Sequence, residues 1–170
     1  ELEVQSNVLL SARALLTEAL LGSSNQRWAY LDAGKWLKTE GMTEQDQSLL
    51  KQFQEEQELA HRAATALEGR FKALTIEMTR NRMEDAFFAR RVEQIGQVIR
   101  AMAALRQPQI AKALHDARPA NLAEDFPAGR AAKMKKALTT LEPDLKMAAL
   151  EFQRLFYLLA DWNDLQQVLV

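Results

Sequence analysis

Glu58-Leu59-Ala60-His61 holds one of only two histidines in the 170-residue chain and sets a carboxylate three residues before an imidazole. On a helix, side chains three apart lie on one face, so Glu58 and His61 would both reach a single ion. A carboxylate-bridged di-metal centre in a helical bundle needs that pair twice, together with two further glutamates. The second pair is missing, because the residue three before His115 is Lys112. Glu58 and His61 are therefore weak metal candidates, and the sequence calls for no cofactor.

A second chemistry open to His61 is phosphoryl acceptance. Histidine phosphotransfer domains are helical bundles that carry an exposed histidine in mid-helix, followed by a basic residue and a glycine within the next turn. Arg62 supplies the basic residue here, but Gly69 comes too late and Ala64 belongs to an apolar seam. His61 is a weak phospho-acceptor candidate on that partial match. Other catalytic patterns are absent: no Gly-rich phosphate loop, no Gly-x-Ser-x-Gly and no His-Glu-x-x-His occurs. The carboxylates Glu55, Glu56 and Glu58 read as a solvated face. The expected class is non-catalytic.

Composition narrows the remaining classes. Hydrophobic residues at 48% and charged residues at 26% belong to a folded chain rather than a disordered one. Six Gly and four Pro are too few for many short strands joined by turns. The absence of cysteine removes disulfides, thiolate metal sites and a thiol nucleophile. A formal net charge of −1 argues against a duplex-DNA binder, whose affinity comes largely from neutralising phosphates. No apolar run reaches the ~18–20 residues of a spanning helix; residues 155–160, "LFYLLA", stop at Asp161. The chain opens on Glu1, so it is expected to be a mature form or a domain excised from a longer protein, in either a cytoplasmic or an extracytoplasmic setting.

The elements that would position these residues are helices. Val4, Val8, Ala12, Leu15, Leu16, Ala19 and Leu20 recur at helical spacing. Gly22 then offers a stop, with Ser23 or Ser24 capping a second helix that runs to Gly41. Thr43 with Asp46 forms a box-like cap for a third. From Leu50 through Phe53, Gln57, Ala60, Ala64, Leu67, Phe71, Leu74 and Met78, seam positions alternate by three and four, with polar Gln57 a weak point among apolar residues. The register continues through Asn81, Asp85, Phe88, Val92, Ile95, Ile99 and Met102, a 3.5-residue repeat. A single helix from 44 to 106 would be roughly 95 Å long. A kink or turn at 79–82, with Asn81 and Glu84 as a new capping box, is the reading preferred to that rod, although no Gly or Pro marks it. Pro108 sets a firmer boundary and opens a short helix ending before Pro119. Residues 118–129 read as an irregular connection. A helix over 130–142 follows, and Pro143 starts the last one, with Leu145, Ala148, Phe152, Leu155, Leu159, Trp162 and Leu169 in heptad register. The expected fold is all-α: one elongated antiparallel bundle of about five to seven helices over residues 1–170.

Such a bundle would act by binding, as a protein-interaction module or as the sensing domain of a larger, bacterial-type receptor. Trp28 and Trp36, eight apart and on roughly one face, are partner-binding candidates if exposed and core residues if buried; Tyr157 is another. Arg80, Arg82, Arg90 and Arg91 form one basic group, and Arg130, Lys133, Lys135 and Lys136 a purer one beside Met134. From these groups Arg90, Arg91, Lys133, Lys135 and Lys136 are the candidates for a nucleic acid or an anionic surface, the less favoured class. The expected partner is another protein or a second copy of the chain, with a small ligand in an inter-helix groove as a further option.

Overall fold

Heptad spacing from Leu50 to Met78 does build one helix, and it lies in a four-rod bundle. The computed structural model describes residues 2–40, 43–82, 86–117 and 127–168. The rods are α1 (Leu2–Leu37), α2 (Glu44–Arg80), a third formed by α3 (Ala86–Arg100), a π-helical segment (Ala101–Arg106) and α4 (Gln107–Asp116), and finally α5 (Pro127–Val168). No strand occurs among the described residues. Adjacent rods run antiparallel: Glu18 and Gln26 of α1 meet Arg70 and Gln57 of α2 in reversed order. Gly22 and Trp36 of α1 likewise meet Phe152 and Lys135 of α5. At 1.5 Å per residue α1 alone is about 54 Å long.

Four rods rather than five to seven follow from three residues that do not break their helices. Gly22 is no stop but an interior helical residue of α1. A Cβ built on it would lie 2.2 Å from Cε1 of Phe152, a ring fully buried on α5. The missing side chain is used for close approach of two helices rather than for a left-handed turn. Pro143 lies inside α5 instead of starting it. Leu138, Leu141, Leu145 and Leu155 are buried on either side of it, while Pro143 and Thr139, whose carbonyl loses its i+4 donor, face solvent. Core packing along one face thus carries the helix through a residue that costs about 3 kcal/mol in an isolated helix.

Pro108 is handled by a change of helix type. An α-helix there would press the proline ring against the carbonyl of Ala104. The wider π turn ends just before it, with the N–H of Gln107 donating to the carbonyl of Met102. The extra residue also rephases the interior seam, which steps by five from Met102 to Gln107 before resuming at Ile110. Leu105, near which a regular repeat would place its next core residue, is 54% exposed.

Between α2 and α3 the chain does turn. Asn81 caps the end of α2, its Nδ2 donating to the carbonyl of Glu77 at 2.8 Å, so it closes one helix rather than opening the next. Arg82 follows with φ 52°. A left-handed conformation on a bulky residue costs about 1–2 kcal/mol, and Arg82 adopts it where a glycine would have marked the turn in the sequence. At the other end of α2, Thr43 and Asp46 form the reciprocal capping box. Asp46 accepts from both the N–H and the hydroxyl of Thr43, and these bonds hold its carboxyl below the usual carboxylate range. Residues 127–129 are helical rather than part of an irregular connection. The remainder of that connection, the box at Glu84 and the side chains of Val4, Val8, Asp85, Phe88 and Leu169 lie outside the described residues.

The core divides in two. One cluster joins Leu15, Leu67, Ile99, Phe152 and Trp162; the other joins Trp36, Phe53, Ile110, Leu138 and Leu145. Between them lies a polar layer. Gln26 donates to Gln57 at 2.8 Å, Gln57 to Gln107 at 3.0 Å, and Gln107 back to Gln26 at 2.7 Å, closing a ring across three rods. All three are buried. Beside the ring, Arg106 clips the π segment to α5 through Asp144 at 2.8 Å and Glu151 at 3.1 Å.

Two substitutions test this architecture. Gly22→Ala raises helix propensity yet is expected to destabilise by ~1–3 kcal/mol, because the added carbon overpacks the Phe152 ring. The loss should shrink in a Phe152→Leu background, as read from the coupling in urea denaturation. Gln57→Leu should cost ~1–3 kcal/mol by stranding two buried amides, whereas replacing all three glutamines with Leu should recover most of that loss.

Candidate binding surfaces

His61 projects from α2 toward α4, which packs against α2 only lightly and leaves an open cleft of about 1010 Å³ between them. Gln57 and Gln107 of the buried ring line its base, and Ala111 and Leu114 line its α4 side. His61 is half-buried, and its Nδ1 is sealed from solvent without a hydrogen-bond partner. Glu58, one turn before it, pairs with Arg62, its Oε1 accepting from Nε at 3.1 Å in an exposed pair. No three His, Asp or Glu side chains among the described residues come together as metal ligands. Arg62, the basic residue after His61, is at the surface and within reach of Glu58. The cleft thus unites Glu58, His61 and Arg62 with two core glutamines, an arrangement suited to holding a polar molecule.

A carboxyl pair lies on the opposite side of α2. Asp32 of α1 is buried, and Glu56 faces it from α2 rather than standing with Glu55 and Glu58 on a solvated face. Burial, then the hydrogen bond and like charge of Asp32, push the Glu56 carboxyl from 4.5 up to about 7. Lys35, 3.5 Å from Asp32, offsets part of that rise. Local sequence hid the pair, since its partners are 24 residues apart and meet only because α1 and α2 are antiparallel.

The aromatic and basic candidates separate. Trp36 is fully buried while Trp28 is 50% exposed. Eight residues turn a helix by about 80° beyond two full turns, enough to move one indole off the core face. Tyr157 is exposed on α5, near Leu150 and Leu158. Lys135 donates to the carbonyl of Thr39 and lies over the Trp36 ring at 5.4 Å from its centroid, so it serves the fold. Lys133 is half-buried and engaged, and Lys136 is exposed. Arg90 is exposed and Arg91 half-buried near the start of α3, at the opposite end of the bundle from these lysines. The two basic groups therefore do not form one surface.

A surface that the spacing of the tryptophans only half revealed is the outer face of α1. Leu10, Leu20, Leu21, Trp28 and Leu31 project from it, each between 37% and 59% exposed. At 100° per residue, Leu10, Leu21 and Trp28 form one row and Leu20 and Leu31 another, with Thr17 and Ser24 between the rows. Leu20 was legible only as part of the helical periodicity, and its place on an outer face with Leu10, Leu21, Trp28 and Leu31 follows from Gly22 not ending the helix. No protein-family model matches the chain, and neither a curated protein nor a solved structure shows significant similarity to it. No helix among the described residues is long and apolar enough to cross a membrane.

The carboxyl pair sets a pH dependence with a definite sign. Between about pH 4.5 and 7 the folded chain keeps a proton on Glu56 that the unfolded chain has released. Folding therefore binds a proton in that window, and stability falls as pH rises through it. Glu56→Gln should remove this slope, so its melting temperature should exceed that of the wild type at pH 8 by roughly 2–4 °C and match it more closely at pH 5. Thermal unfolding followed by circular dichroism at both pH values measures the difference.

Proposed function

We propose that this bundle is a non-catalytic binding module whose work is protein–protein interaction. The observation that supports this is the outer face of α1. Five large apolar side chains stand in solvent along one helix, where a helix that merely covered its own core would present polar residues. Exposed apolar stripes of this kind mark interaction sites more often than isolated surface leucines do. Trp28 is the natural anchor, because a half-exposed indole offers a large area for burial at little entropic cost. The buried glutamine ring supports the same reading by holding α1, α2 and the third rod in one register, so the surface is ordered before a partner arrives.

Signal sensing within a larger receptor is the same activity set in a longer chain, with the α2–α4 cleft as the place for a small polar ligand. Site-specific photo-crosslinking in the producing cells tests the interaction reading. A photoreactive residue at position 28 should give a discrete protein adduct, and one at position 100, exposed on α3, should not. Absence of an adduct from position 28, or equal smears from both positions, would sink it.

A further inference from the structure

The charges that share the outer face of α1 narrow the kind of partner it can take. Between Leu10 and Lys38 the exposed charged residues are Arg13, Arg27, Lys35 and Lys38, all cationic. The two acids in that span turn away: Glu18 pairs with Arg70 of α2 at 3.4 Å, and Asp32 is buried against α2. Arg13 and Arg27 have no ion-pair partner among the described residues. Lys35 reaches Asp32 but keeps 61% of its side chain exposed. At 100° per residue Arg27 and Lys38 lie along the Leu20–Leu31 side of the stripe and Arg13 and Lys35 within it, so its exposed charge is cationic and one-sided, complementary to an apolar stripe flanked by carboxylates on the matching side.

We propose, resting on the binding reading above, that this face docks an acidic amphipathic helix of a partner protein. Shape agrees with charge. Thr17 and Ser24 form a low row between two apolar rows, a groove that receives the side-chain ridge of another helix. From Leu10 to Leu31 the face runs for about 32 Å, room for about six turns of a docked helix. The other occupants fit less well. A second copy would bring two sets of unpaired arginines to one interface, and like charges across an interface cost affinity. An anionic lipid surface would attract the same four cations, but it carries no side-chain ridge to fill the groove between the two apolar rows.

The test uses the whole protein and three labelled helical peptides that share a leucine stripe and differ in its flanks, which are Glu, Lys or Gln. Fluorescence anisotropy should show the Glu-flanked peptide binding about tenfold tighter than the Lys-flanked one, with the advantage shrinking as salt rises. Arg13→Glu combined with Arg27→Glu should reverse that order. Trp28→Ala should weaken the Glu-flanked complex several-fold. All three substitutions are at exposed positions, and unchanged circular dichroism confirms that the fold survives. Equal binding of the three peptides, no binding of any, or a preference for Lys flanks overturns the proposal. A dimer in sedimentation that Leu21→Glu dissolves overturns it in favour of a second copy. Trp28-dependent co-sedimentation with phosphatidylglycerol vesicles overturns it in favour of a lipid surface. An adduct from position 28 with no Glu preference removes the acidic helix and leaves the interaction reading standing; loss of both removes both.

Discussion

Three buried glutamine side chains must find one another, and the bundle is arranged around that requirement. Each carboxamide both donates and accepts, so Gln26, Gln57 and Gln107 close a ring only when α1, α2 and the third rod stand in one register. A slip of one helical turn along any rod would leave amides facing apolar core residues such as Ala29, Phe53, Ala60 or Ile110, at about 1–3 kcal/mol for each unpaired group. The apolar clusters on either side tolerate sliding far better, because a leucine is content against many neighbours. Stability thus comes mainly from the clusters, and uniqueness of alignment from the layer between them.

That layer explains features that otherwise look unrelated. Gln107 reaches the interior only because the π segment adds a residue to the turn after Met102, and the same turn carries the helix past Pro108. A widened turn has weaker backbone geometry than an α-helix, and Arg106 ties it to Asp144 and Glu151 of α5. One helical turn away along α1, Gly22 lets Phe152 approach to a distance no side chain would permit. The rods are pressed together where their core is most polar, which keeps water from competing for the amides.

A rigid middle has consequences for the surfaces. With one flank of α1 committed to α2 through Glu18 and Asp32, Arg13 and Arg27 of its outer face stand without an ion-pair partner among the described residues, and the apolar rows beside them are exposed. The cleft between α2 and α4 has a related origin: the glutamine ring holds the third rod at its centre, while α4 beyond Pro108 runs only lightly against α2. His61 borders that opening, and its Nδ1 is buried there without a hydrogen-bond partner among the described residues.

Much was legible in the order of residues alone. Absence of strands, the seams of α2 and α5, the capping box at Thr43 and the turn near residue 81 all follow from spacing and local hydrogen-bonding chemistry, which act over a few residues. What the chain order could not decide was whether Gly22, Pro108 and Pro143 break a helix. Each carries a local signal to stop; Gly22 and Pro143 are overruled by packing against a rod distant in sequence, whereas Pro108 does open α4 and a π turn keeps the rod continuous through it. Reading Gly22 as an end also reset the register of α1, so Gln26 was not seen to fall in its core, Asp32 on its α2 side, or Trp28 in solvent. The Asp32–Glu56 pair and the glutamine ring join residues 24 to 81 positions apart. Local propensity determined that this chain is helical; tertiary contact decided how many helices it makes and which of their faces remain open, because a breaker's cost of a few kcal/mol is smaller than the burial that a continuous helix secures.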